Sequence, residues 1–212
     1  MQLRKKVFAL ALAVLALAGF SWAQATTWQI DSKHSYAHFS VRHLLVSNVR
    51  GSFSNVTGTV VIDENDITKS SVETAIDAST INTQEPDRDK HLKSADFLDV
   101  ANHPTITFKS KKVEKAGQDR LRVIGDLTIR GVTKQVVLDV EGPTAAITDP
   151  RGNLKRGATA TVKINRFDYG VAWDKKIEAG GLVAGEEVAI TIDLELKKVE
   201  PKPDAKPAAR GN

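Results

Sequence analysis

The sequence predicts an all-β domain, a closed antiparallel barrel or sandwich of about eight strands, on three observations. From Trp28 onward, apolar residues recur at every second position. Turn-forming clusters break these rows at short intervals. The 212 residues include no cysteine, so neither disulfides nor thiolate metal sites hold the chain together. Period-two alternation marks strands with one face in a core and one in water. It suits antiparallel sheets, because parallel strands are covered on both faces and lose the alternation.

The first 25 residues read as an address. Arg4-Lys5-Lys6 precedes the uncharged, mostly apolar run Val7 to Phe20, and Ser21-Trp22-Ala23-Gln24-Ala25 supplies small residues before a cut after Ala25. This is the secretory signal pattern, and the run is short for a bilayer core, which needs ~20 residues. The expectation is a mature chain beginning at Thr26 in the periplasm, with the folded domain at 26–199.

Within that domain the rows follow in order. Ala37, Phe39, Val41 and His43 share one parity; Val56, Gly58, Val60 and Ile62 form the next row, then Val72, Thr74 and Ile76, then Ile106 and Phe108. Leu121 to Ile129, Val136 to Val140, Ala160 to Ile164 and Val188 to Leu196 alternate in the same way. Turns are expected at Asp63–Asp66, Ala116–Asp119, Arg130-Gly131 and Asp149–Asn153. One stretch does not alternate: residues 86–98 predict a short helical segment, with Pro86 at a first helical position and acids at its start. Leu92 and Phe97 would press it onto the barrel mouth. Residues 200–212 carry three prolines, scattered bases and no bulky apolar side chain, the composition of a disordered basic tail.

The formal charge of +4 comes from the two ends; the body between them is slightly acidic. That body has no phosphate-tracking surface, so nucleic acid is not an expected partner. Contact with a membrane surface is open to the basic ends, and a dimer is neither required nor excluded. Five histidines raise a metal site, but His34 and His38 on one strand face would lie ~13 Å apart, whereas zinc ligands meet within ~2.1 Å of one ion. No Gly-x-Ser-x-Gly elbow, phosphate-binding loop or His-Glu-x-x-His pair occurs. No catalytic residue, metal or cofactor is therefore assigned. Arg88-Asp89-x-His91 reads as a charged helical cap in which Asp89 holds Arg88 or His91. His43 and Arg166 read either as core groups satisfied by an acid or carbonyl, or as polar anchors in a cavity. A barrel of about eight strands can be filled by side chains or can hold one small ligand. Small inward residues (Ala37, Gly58, Thr74, Gly125, Ala160) leave room for a guest unless neighbouring Phe and Leu fill it.

Several blocks resemble the YceI-like family of secreted, lipocalin-like barrels that bind polyisoprenoid and related long lipids. They are Trp28-Gln29-Ile30-Asp31 with His34-Ser35, Phe39 to His43, Val49 to Phe53, and Ser79-Thr80-Ile81-Asn82-Thr83. The most specific is Arg88-Asp89-Lys90-His91-Leu92-Lys93-Ser94-Ala95-Asp96-Phe97, followed by His103-Pro104-Thr105, Gly125 to Thr133 and Asn165 to Gly170. Leu98 stands where the family often has a second phenylalanine, and Arg130 where it often has histidine. The resemblance implies a lipocalin-like antiparallel barrel and a carrier for an isoprenoid, quinone or similar lipid. Together with the inward rows it makes the candidate ligand-binding residues Phe39, Val41, His43, Phe53, Val60, Ile76, Arg88, His91, Phe97, Phe108, Leu127, Val162, Ile164, Arg166, Phe167 and Ile190. Two other readings stand beside it: a secreted hydrolase or lipid-modifying enzyme using His43, His91 and Asp89, and a filled structural barrel with a stress or electron-transport role.

Overall fold

The computed structural model describes residues 25–178 and 180–200. The expected export signal and basic tail, apart from their inner ends at Ala25 and Glu200, lie outside the described residues. β1 (Thr26–Ile30) and β2 (Tyr36–His43) run along the same edge of β11 (Ala184–Lys198), with Ile30 opposite Leu196 and Tyr36 opposite Asp193. They behave as one long strand interrupted by the excursion 31–35. β3 (Ser47–Phe53) and β4 (Val56–Ile62) pair with β2 and β1 in turn, with a break at Ser54-Asn55. β5 (Ser71–Asp77), β6 (Thr105–Gly117), β7 (Arg120–Ile129) and β8 (Val132–Glu141) follow as an antiparallel meander.

β10 (Leu154–Asn165) pairs with β11 from Lys155–Lys197 to Asn165–Glu187, and this ladder closes the ring. Counting β1 with β2 and β3 with β4, eight long antiparallel strands form a closed barrel. β9 (Ile147–Thr148) is a short clip on β10. The weakest seam lies between β8 and β10, which meet only where residues 139–141 face 159–161. Beyond it the wall is completed by the 3-10 turn Arg166–Tyr169.

The short helical interruption is present and occupies the first part of the expected segment. α1 spans Pro86–Lys93, started by the Glu85 carboxylate, which accepts from the Asp87 and Arg88 amides. Ser94 ends it: its amide and hydroxyl both donate to the His91 carbonyl, so residues 94–98 form turns instead.

The excursion 31–35 explains its own residue types. β11 changes partner there, from β2 to β1, and Glu195 faces the gap. Buried Ser35 accepts the Glu195 amide (3.0 Å), and the Asp31 amide donates to the Glu195 carbonyl (2.8 Å). The Lys155 ammonium reaches in from β10, 2.7 Å from both the Asp31 and Glu195 carboxylates. His34 Nδ1 lies 3.2 Å from Asp31. The hydrogen bond from Lys155 is the main reason the Asp31 carboxyl is held down at about 2, against the opposing effect of burial.

A carboxylate with a lowered pKa stabilises the fold above its unfolded value, and that contribution is lost as pH falls through the folded value. Asp31→Asn is expected to cost about 1–2 kcal/mol at pH 7, read as a lower urea midpoint. The gap from the parent should close as pH falls from about 4 towards 2. A gap that stays constant over that range would show that the carboxylate's charge is not what holds the corner.

Candidate functional site

Inside the half of the barrel nearest α1 lies a cavity of about 290 Å³ with apolar walls. It opens at one end between α1, the β2–β3 turn and the segment 171–184. Phe39, Val41, His43, Phe53, Ile76, Arg88, His91, Phe97, Phe108, Leu127, Val162, Ile164, Arg166 and Ile190 all border it. Val60 does not. It borders a second, separate cavity of about 100 Å³ at the far end, because the β4 part of its strand lies against β1 and not β2. Alternation gave its face correctly but not its depth along the barrel axis. Phe167 borders neither cavity. Strand parity stops at Asn165, and the 3-10 turn that follows lays the Phe167 ring against the Arg166 guanidinium, 4.2 Å from its centroid.

Ile76, Phe108, Leu138 and Ile192 border both cavities and so form the partition between them. Phe108 is held across the barrel because Gly125 lies under it: a Cβ on Gly125 would sit 2.5 Å from the Phe108 ring. Gly51 serves Phe39 in the same way, at 2.5 Å. Glycine at 125 therefore seats an aromatic ring, so at this position the alternative in which a neighbouring Phe fills the space is the one the structure shows. Gly58 is likewise occupied, its missing Cβ falling 2.1 Å from the Glu73 carbonyl.

The polar groups at the mouth are mostly committed to the protein itself. Buried Arg166, 5 % exposed, donates to the carbonyls of Val171 (2.6 Å), Gly185 (2.9 Å) and Ala184 (3.0 Å). Burial draws its guanidinium below its ordinary value, partly opposed by Glu186 and Asp174. It clamps the turn after β10 to the start of β11. Arg88 donates to Thr83 through the hydroxyl (2.8 Å) and the carbonyl (2.9 Å).

The cap anticipated around Asp89 is built differently. Asp89 holds neither Arg88 nor His91; it accepts from the amide and hydroxyl of buried Thr83. Thr83 is the hub because the chain preceding α1 folds back over the helix start. His91 pairs instead with Asp96, at 2.9 Å, across the turn that ends the helix. His91 also stands edge-on to Phe97 and Trp173, whose rings lie 5.3 Å apart, making an aromatic rim. Arg130, replacing the family's frequent histidine, ties the β7–β8 turn to the carbonyls of Ala95 and Gly170. His43 is half-buried beside the cavity, with no carboxylate or carbonyl partner among the described residues.

Tyr169 and Trp173 went unassigned by the sequence, since neither lies in an alternating row. Tyr169 is 2 % exposed and borders the cavity, and its hydroxyl has no partner. Burial, with help from Asp168, pushes this phenol up to about 12, so it stays a neutral donor at physiological pH. Among the described residues the one group of histidine and carboxylates close enough to hold a metal is Asp31, His34 and Glu195. It lies at the opposite end of the barrel, where the Lys155 ammonium already fills the space between the two carboxylates.

Two expected outcomes follow from this geometry. Tyr169→Phe removes an orphaned buried hydroxyl and should raise stability by about 1 kcal/mol, measured by urea unfolding of ligand-free protein; a loss of stability would mean that a bound water satisfies the group. Phe108→Ala should join the two cavities at a cost of about 3 kcal/mol, with a crystal structure showing one continuous void. A structure in which the walls collapse to keep two voids would contradict the partition.

The model of the YceI-like domain matches residues 28–196. A UPF0312 protein of Staphylococcus aureus is 35% identical over 171 residues, covering 81% of this chain and 97% of its own. The crystal structure of a Campylobacter jejuni YceI protein superposes with a TM-score of 0.64 at 29% identity, over 75% of this chain and 90% of that one. A domain from Saccharophagus degradans described as polyisoprenoid binding shares the fold, with a TM-score of 0.59 at 14% identity over 83% of this chain and 100% of its own.

Proposed function

Since this chain belongs to the YceI-like domain family, we propose that it is a periplasmic carrier or buffer of a polyisoprenoid-type or related long-chain amphiphile, such as a quinone, and carries out no catalysis. The observation that carries this reading is the apolar cavity of about 290 Å³ whose three bordering arginines, Arg42, Arg88 and Arg166, each donate to the protein's own carbonyls. Such a cavity rewards a hydrocarbon tail, at roughly 0.8 kcal/mol for each CH₂ taken from water, and offers no fixed anion receptor. The buried, unpartnered Tyr169 hydroxyl suits a ligand that carries an acceptor oxygen. The likeness to the Saccharophagus degradans domain agrees with an isoprenoid. The export pattern of residues 1–25 supports a periplasmic site of action.

The enzymatic alternative loses its parts in this arrangement. Asp89 serves Thr83, and His91 serves Asp96. Among the described residues His43 has no acid to orient it, and the one hydroxyl beside Asp89, that of Thr83, is buried and also accepts from Arg88. The filled-barrel alternative is disfavoured by the open cavity itself.

Native mass spectrometry of protein recovered from its own bacterium should show a bound prenyl or quinone-type lipid. Recovery of empty protein that also takes up no added prenyl lipid would overturn the proposal. Leu127 opposes Phe108 on the neighbouring strand and borders the cavity. Leu127→Trp should keep the barrel folded by circular dichroism while reducing long-chain uptake at least roughly ten-fold, a loss of about 1.4 kcal/mol. Unchanged uptake would move the ligand elsewhere.

A further inference from the structure

The turn joining β2 to β3 is built against local preference. Leu44 and Leu45 have φ of 51° and 63°, and the Val46 amide closes the turn on the His43 carbonyl at 3.1 Å. Two consecutive left-handed residues are the backbone of a type I′ turn, whose favoured residues are Asn-Gly. Leucine there is strained. The three side chains nonetheless remain exposed: Leu44 is 40 %, Leu45 56 % and Val46 77 % exposed. They are the only run of consecutive exposed large apolar residues among those described.

The turn also stands at the cavity mouth. His43 and Arg42 border the cavity, the Leu44 amide donates to the carbonyl of Val183, another cavity residue, and Leu45 rests on Gly181 of the adjoining hairpin. The strands and hairpin that carry this tip expose the bases Arg42, Arg50, Lys175 and Lys176, against Asp174, Glu178, Glu186 and Glu187, the last of which pairs with Lys163. No ion pair engages any of the four bases among the described residues, and Arg42 instead donates to the Leu45 carbonyl (2.7 Å). What sets these bases apart in a slightly acidic body is that, among the described residues, they are left without carboxylate partners at the mouth. Apolar side chains ringed by unpaired cations match the interface of an anionic bilayer, where the chains enter the acyl boundary and the bases meet the headgroups.

Resting on the lipid-cargo reading for its purpose, we propose that the Leu44-Leu45-Val46 tip docks the cavity mouth onto an anionic membrane surface. Cargo then passes between bilayer and barrel without crossing water.

The chain has no cysteine, so Val46→Cys creates a unique thiol for an environment-sensitive dye, and Arg151→Cys places the same dye at the opposite end of the barrel. The protein is used as its host bacterium processes it, with vesicles of phosphatidylglycerol and phosphatidylethanolamine, and phosphatidylcholine vesicles for comparison. The dye at position 46 should brighten and shift to the blue on the anionic vesicles alone, and the dye at 151 should not respond. Leu44→Asn/Leu45→Gly supplies the preferred turn residues, so the variant should melt higher than the parent yet bind these vesicles roughly ten-fold more weakly. Arg42→Gln/Arg50→Gln should narrow the difference between the two vesicle types. The leader and tail are the same in parent and variants, so they cannot produce these differences.

A silent dye at 46, an equal response at 151, or parental vesicle binding by the Asn-Gly variant would overturn the proposal. So would a dimer, seen by sedimentation, that the Asn-Gly variant abolishes while vesicles are ignored, since the tip would then belong to a second copy. Uptake of a prenol dispersed in detergent is measured in parallel and should be equal in parent and Asn-Gly variant. Failure of both to take it up removes the cargo reading, while the dye response still decides docking.

Discussion

Everything in this barrel depends on how β11 closes it. That strand pairs with β10 on one edge and with β2 and then β1 on the other. A ring closed by one strand serving three partners has a weak point where the partner changes. There the ladder would leave the Glu195 amide and carbonyl unsatisfied, and an orphaned backbone group is costly. Ser35 and the Asp31 amide satisfy both, and Lys155 ties the Asp31 and Glu195 side chains across the same corner. Three carboxylate or imidazole groups converge there in a manner that suggests a metal, yet a lysine does the neutralising. The constellation is a fastener, and its distance from the cavity mouth leaves the mouth free for other chemistry.

Closure fixes the barrel's width, and side-chain volume then decides what space remains. Gly125 and Gly51 do not enlarge the interior here; they make way for the Phe108 and Phe39 rings, which occupy the space a Cβ would take. The void is left by the arrangement of the larger side chains, with Phe108 among the four that divide it from the second cavity. Two of the arginines bordering the cavity, which might have received an anionic head group, are already occupied. Arg166 holds three carbonyls, and Arg88 holds Thr83. Affinity therefore comes chiefly from apolar transfer, and polar discrimination falls to the few groups left without partners.

The sequence made the strand faces legible because alternation reports face directly. Phe39, Val41, Ile76, Phe108, Leu127, Val162, Ile164 and Ile190 all point inward as their parity required. Depth along the axis was not legible, since period two carries no information about which end of a strand meets which neighbour; Val60 shows this. Residues outside strands were legible only by kind. The Arg88–Phe97 block was visible as charged and helical, but its wiring through Thr83 and Asp96 depends on a chain reversal that no local pattern records. Tyr169 and Trp173 were hidden for the same reason. Phe167 lies beyond the last residue of its row, so parity gave no guide to it, and the 3-10 turn places it away from both cavities.

If the proposed long-chain lipid is the cargo, its chemistry bears on the rest of the molecule. A long isoprenoid gains its affinity from leaving water, and for that same reason it is almost never free in water to be captured. A carrier that waited for dissolved ligand would load at a rate set by a vanishing concentration, however deep its cavity. Loading must occur where the lipid already resides, which places demands on the mouth and not on the cavity. The mouth meets them with two strained leucines and a valine held in water beside unpaired bases, an arrangement that lowers the stability of the isolated protein. A turn of Asn-Gly would close the same hairpin without strain. The exposed tip is intelligible if its apolar groups are covered during transfer, when the surface that holds the lipid becomes the surface that holds the barrel.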